Sequence, residues 1–219
     1  MRTKQKQKSD STRNKIYEEA FRLFISKPYE LVTINDLEKA IGKTRGAVFY
    51  HVKDKHDLFE KVINKYFTKS QNIYEIVGED ILEKDLTLLE FINLYLDANE
   101  KKIKELFNFA KINKDSISQK NITKIESVYL SLLSSTGYYL DYYNDEMELN
   151  FTMDRNTWTF FIQKGIENGE IKPDINAALF GEIFSSVFVG RSFQDSLTKG
   201  VNLNEIKKLF MEIYDKIKA

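Results

Sequence analysis

The sequence predicts an all-α protein, and three observations predict it. Apolar residues recur at helical spacing, as in Ile16, Ala20, Leu23 and Phe24, then Leu58, Val62, Ile63, Tyr66 and Phe67, then Ile206, Leu209, Phe210, Ile213 and Ile217. No stretch alternates as a half-buried strand would. Helix breakers are sparse, with 2 Pro and 9 Gly in 219 residues.

The elements follow in order. A first helix runs from about Ser11 to Ser26 and is stopped by Pro28, which cannot continue a helix and restricts the residue before it. A second opens at Thr33, an N-cap with Asp36 three residues on in a capping-box pattern, and carries an apolar stripe at Ile34, Leu37 and Ile41. It ends at Gly42, which takes the left-handed conformation that a tight turn needs. A third covers roughly Thr44 to His51, and a fourth begins after Asp54, an N-cap with Asp57 at the third helical position. Two short helices joined by a Gly-containing turn form a helix-turn-helix. Beyond Phe67 the helices lengthen and aromatic residues become dense. The stretch 167–176 reads as a connection: Gly169 caps one helix, Pro173 prevents its continuation, and Asn176 caps the next, which spans about Ala177 to Leu197.

Composition narrows the function. The chain has 0 Cys and 2 His, His51 and His56, so disulfides, thiolate ligands and a cysteine nucleophile are excluded and the long remainder has no imidazole. With no glycine-rich phosphate loop either, an enzyme has little in its favour, and no cofactor or metal site is expected. No apolar run approaches a membrane span and the N-terminus lacks a signal-peptide core, so the expected location is the cytoplasm, with no membrane partner. Charge is uneven: residues 1–70 hold 16 Lys+Arg against 9 Asp+Glu, and the rest hold 17 against 24. A basic front suits a polyanionic partner.

The stretch from Thr33 to Lys55 resembles the TetR family of transcription regulators. The resemblance rests on a Thr-led second helix, a Gly turn, the run Thr44-Arg45-Gly46-Ala47, the aromatic pair Phe49-Tyr50 followed by His51, and Lys55 opening the fourth helix. With the first helix it covers about residues 11–67. A looser match is Gly165 to Asp174, a turn that the family places between its last two long helices. Four positions depart from the pattern: Pro28 replaces a glycine, Glu38 a small alanine, Lys43 an apolar residue and Val52 a phenylalanine.

The expected organisation is a flexible basic arm over 1–10, a DNA-binding domain over 11–55 with a linking helix to about 67, and an effector-binding and dimerisation domain over 68–219. Arg45 is the candidate for a base contact, because a guanidinium can bond both O6 and N7 of guanine. Thr44 either shares that contact or caps the helix. Gly46 and Ala47 lack bulk and let the backbone approach DNA closely, although Ala47 equally suits inward packing. Phe49 could touch a thymine methyl, whereas His51 carries a donor for phosphate, and Thr33 sits at a helix N-terminus that favours an anion. The resemblance implies phosphate contacts for Tyr50 and Lys55. It also implies a homodimer on double-stranded operator DNA and a cavity for a small-molecule effector of unknown identity. Phe107, Tyr129, Tyr142, Trp158 and Phe161 are the candidate liners, and the opposing reading of each is core. The leading function is a repressor released by an apolar or aromatic ligand; the alternative is a helical small-molecule binding protein without specific DNA binding.

Overall fold

The computed structural model describes residues 2–109 and 119–219. Their secondary structure is helix and turn, apart from an isolated bridge between Ile171 and Lys218. No helix among them is long and apolar enough to cross a membrane. Contacts divide the chain into two compact units, Met1–Lys69 with Ser127–Tyr142, and Ser70–Glu126 with Tyr143–Ala219. The first unit therefore draws in residues 127–142, which the sequence reading had placed in the rear domain.

In the first unit, α1 (Arg2–Phe24), α2 (Ile34–Ile41), α3 (Arg45–Phe49) and α4 (Lys55–Ile63) form the N-terminal head. α1 extends back through the stretch expected to be a flexible arm. No Gly or Pro interrupts residues 2–24, and Lys, Gln and Arg are good helix formers despite their polarity. Its inner face is Ile16, Ala20 and Phe24, flanked by Tyr17 and Phe21, all buried. Phe24 meets Phe59 of α4 edge-on at 5.1 Å, a preferred aromatic geometry. α1 closes with Ser26 and Lys27 both donating backbone N–H to the Leu23 carbonyl. Pro28 then leads a short 3₁₀ turn, Tyr29–Leu31, at φ −50°, so the chain leaves the helix without a left-handed residue. Gly42 does take that conformation, at φ +67°, where α2 turns into α3.

The second unit is built from α5 (Ile73–Val77), α6 (Leu88–Phe109), α8 (Tyr143–Glu167), α9 (Ala177–Thr198) and α10 (Leu203–Ile217). α7 (Gln119–Ser135) gives its first part to this unit and its second to the other. The Glu170 carboxylate accepts the Leu88 and Leu89 backbone N–H groups at 2.8 and 3.1 Å and the Tyr214 hydroxyl at 3.0 Å. One side chain thereby caps α6 at its positive end and fastens α10. Burial and that carboxylate push the Tyr214 phenol up to about 12.

α8 and α9 pack at very close range. A Cβ on Gly181 would lie 2.4 Å from Thr159 Oγ1 and 3.0 Å from both the Arg155 carbonyl oxygen and the Thr159 nitrogen. Gly181 thus serves the packing of α9 on α8 of its own chain, and Ser185 is buried as well. Gly181→Ala should gain up to about 1 kcal/mol of helix propensity and lose about 1–3 kcal/mol by overpacking. Two of the three close atoms are backbone and cannot swing aside, so the net effect should be a lowered urea midpoint. A raised midpoint would show that the two helices separate without cost.

Candidate nucleic-acid interface

α2 and α3 are set by a few inward residues. Leu37, Ile41, Val48 and Val52 are 0–4% exposed, and Val48, the buried residue of α3, fixes which way that helix faces. Thr44, Arg45 and Gly46 are therefore exposed, Ala47, Phe49 and His51 are half-buried, and Tyr50 is 82% exposed. Thr44 makes no side-chain cap bond to α3, so of its two expected roles capping is not the one made here. The Arg45 guanidinium lies 5.8 Å from the centre of the Phe49 ring one turn on, and Tyr50 meets His51 edge-on at 5.1 Å. Gly46 stands in open space: a Cβ there would meet nothing within 4 Å. Neither packing nor backbone geometry inside the protein requires a glycine at that position.

The capping box read from the sequence is formed. Thr33 Oγ1 accepts the Asp36 N–H at 3.2 Å and donates to Asp36 Oδ2 at 2.7 Å, while the Thr33 N–H donates to the same oxygen at 2.8 Å. Lys27 Nζ adds an ion pair at 2.6 Å. The Lys27 ammonium, then the Thr33 hydroxyl and amide, hold the Asp36 carboxyl far below the usual carboxylate range. A carboxylate of the protein thus already sits at the α2 N-terminus beside Thr33.

Lys55 turns inward. Its Nζ donates to the carbonyl oxygens of Tyr29 and Val32, both at 3.0 Å, and lies 4.0 Å from the centre of the Tyr29 ring. Desolvation holds this ammonium below the ordinary lysine value, opposed by the negative charge of Glu30. Two of its three N–H donors are committed, which leaves one.

The five aromatic residues singled out as cavity liners fall in different places. Trp158 and Phe161, both 0% exposed, belong to the core of the second unit. Phe91 stacks on Phe161 at 4.2 Å and meets Trp158 at 4.7 Å; Trp158 also stacks on Phe184 at 4.8 Å. Phe107 is buried near the end of α6. Tyr129 and Tyr142 belong to the first unit, where Tyr129 packs edge-on against Phe67 at 4.9 Å and the Tyr142 hydroxyl donates to Asn64 at 2.9 Å. Asp154, one turn before Trp158, was not singled out. It lies beside the Tyr95 and Ser185 hydroxyls, and burial raises its carboxyl above the ordinary value. Tyr139, also unforeseen, packs on Tyr29 at 4.5 Å between ring centres and hydrogen-bonds Glu30. More than 100 residues separate these partners, so no local pattern could have found them.

Comparisons with known proteins bear on the same stretch. Residues 16–62 match the family model described as bacterial regulatory proteins, tetR family. The HTH-type transcriptional regulator AcrR of Shigella flexneri is 40% identical over 62 residues, 28% of this chain and 29% of that protein. The HTH-type transcriptional repressor AcnR of Corynebacterium glutamicum is 46% identical over 52 residues, 24% of this chain and 28% of that one. The chain thus spans less than a third of the length of either relative. A TetR transcription regulator from Haloarcula marismortui is similar in structure over 96% of this chain and 100% of its own, with a TM-score of 0.66 at 19% identity. At that identity the likeness concerns the fold alone.

Proposed function

The chain belongs, through residues 16–62, to the tetR family of bacterial regulatory proteins, and from that premise we propose that it is a sequence-specific DNA-binding transcription regulator, a repressor released by a small apolar or aromatic ligand. The observation that carries this reading is the outward face of α3. Thr44, Arg45 and Tyr50 stand exposed around Gly46, which nothing in the protein needs to be small. Such a face lets a helix backbone come close to base edges while flanking donors take phosphates. In this reading Arg45 contacts a base, Tyr50 and His51 contact phosphate, and Lys55 offers its third N–H to phosphate while its other two hold the head together. Phe49 supports Arg45 from one turn away and meets a thymine methyl.

The functional unit is a homodimer on a palindromic site. α9 presents Leu179, Val189, Phe193 and Leu197 to solvent, an apolar stripe suited to a second copy of the same helix. The aromatic second unit is the effector-binding region, and its ligand acts by binding the free and DNA-bound conformations unequally.

Sequencing genomic fragments retained by the protein is the direct test. The expected result is a palindrome with half-sites about one helical turn apart or somewhat more; retention of no preferred sequence would overturn the reading. Arg45→Ala should relax preference at one base pair per half-site and cost about 1–3 kcal/mol per contact. An unchanged sequence preference would remove Arg45 from base reading.

A further inference from the structure

We infer that Tyr139 is a positioning residue for the DNA-binding head: it clamps the loop before α2 and, through Tyr29, the ammonium of Lys55. The inference rests on the DNA-binding reading above and adds to it a residue that lies far outside the helix-turn-helix.

Tyr139 is itself firmly placed. It follows the 3₁₀ turn Thr136–Tyr138 at the end of α7, where Thr136 is fully buried and donates its hydroxyl to the Leu132 carbonyl at 2.6 Å. The Tyr139 and Leu140 N–H groups both return to the Thr136 carbonyl at 2.9 Å, and Leu132 and Leu140 are buried. From this base the Tyr139 ring lies 4.5 Å from Tyr29 and 5.9 Å from Phe59, centre to centre. Its hydroxyl donates to the carboxylate of Glu30. All these residues belong to the first unit.

The next contacts lead to the α2 N-terminus. The Tyr29 ring that Tyr139 packs on also carries the Lys55 ammonium, which bonds the carbonyls of Tyr29 and Val32. Val32 directly precedes Thr33, the N-cap of α2. Glu30, held by the Tyr139 hydroxyl, is the carboxylate whose charge supports the Lys55 ammonium against desolvation. Tyr139 therefore acts on the same cation by two routes, the Tyr29 ring and the Glu30 charge. Tyr138, its neighbour, is 86% exposed and has neither contact available to Tyr139 among the described interactions.

The test starts from a DNA site selected with the wild-type protein. If the wild type selects none, it is the DNA-binding reading that fails. With a site in hand, Tyr139→Leu should weaken binding about tenfold for all sequences alike and lower the slope of log K against log salt by about one, the mark of a lost phosphate contact. Tyr139→Phe, which keeps the ring and loses the hydroxyl, should fall between Leu and wild type, and Tyr138→Ala should match wild type. In a double-mutant cycle, Tyr139→Leu should have little further effect once Lys55 is Ala, because the two act as one unit. A Tyr139→Leu protein with a lowered melting temperature but wild-type affinity and salt slope at 25 °C would make the residue merely structural. Additive losses in the cycle would likewise overturn the route through Lys55.

Discussion

Gly46→Leu should lower affinity for the selected DNA site by about 100-fold or more and leave the protein as stable as the wild type, or slightly more so. The stability half follows from the free structure. A Cβ at Gly46 meets nothing within 4 Å, and a helical Gly exchanged for Leu gains up to about 1 kcal/mol of propensity. The binding half follows from the approach of α3 to base edges. A branched four-carbon side chain beside Arg45 holds the backbone off the groove, so base contacts worth about 1–3 kcal/mol each are lost together. Two such losses already amount to about 100-fold. Gly46→Ala should be intermediate. Titration of labelled DNA beside a thermal melt reads both halves. A Leu variant that binds like wild type would mean that α3 does not lie backbone-close to DNA.

How far the sequence could be read depended on the range of each interaction. Thr33, Asp36, Gly42 and Asp54 declared their roles because caps and left-handed turns join residues a few positions apart, so the pattern carries the whole interaction. Lys55 was noticed for the right position, yet its inward commitment needs the carbonyls of Tyr29 and Val32, some 23 to 26 residues earlier. The N-terminal arm misled in another way. Lys and Gln favour both a solvated tail and a helix, and α1 continues through them to Arg2. The placing of Tyr139 in the first unit depends on tertiary contacts alone.

Trp158 poses the hardest ambiguity, since a large aromatic side chain at helical spacing serves equally as core or as cavity wall. The geometry favours core: it is fully buried, stacks on Phe184 with the rings 6° from parallel, and meets Phe91 and Phe210 edge-on at 4.7 and 5.2 Å. Trp158→Ala should therefore cost about 3–5 kcal/mol, the range for emptying a large aromatic site in a packed interior. That is a large share of the 5–15 kcal/mol by which a typical domain is stable. A wall residue of an open cavity would lose fewer contacts and cost closer to 1 kcal/mol. The indole N–H refines the comparison, because it lies beside the Tyr95 hydroxyl without completing a hydrogen bond. Trp158→Phe removes that unsatisfied donor and keeps a ring in the stack, so it should stay within about 2 kcal/mol of wild type. Trp158 is the single tryptophan of the chain, so the variants need urea unfolding followed by circular dichroism, and the wild type's own tryptophan fluorescence reports on this site alone. A small loss in Trp158→Ala would return the residue to the lining of an effector cavity.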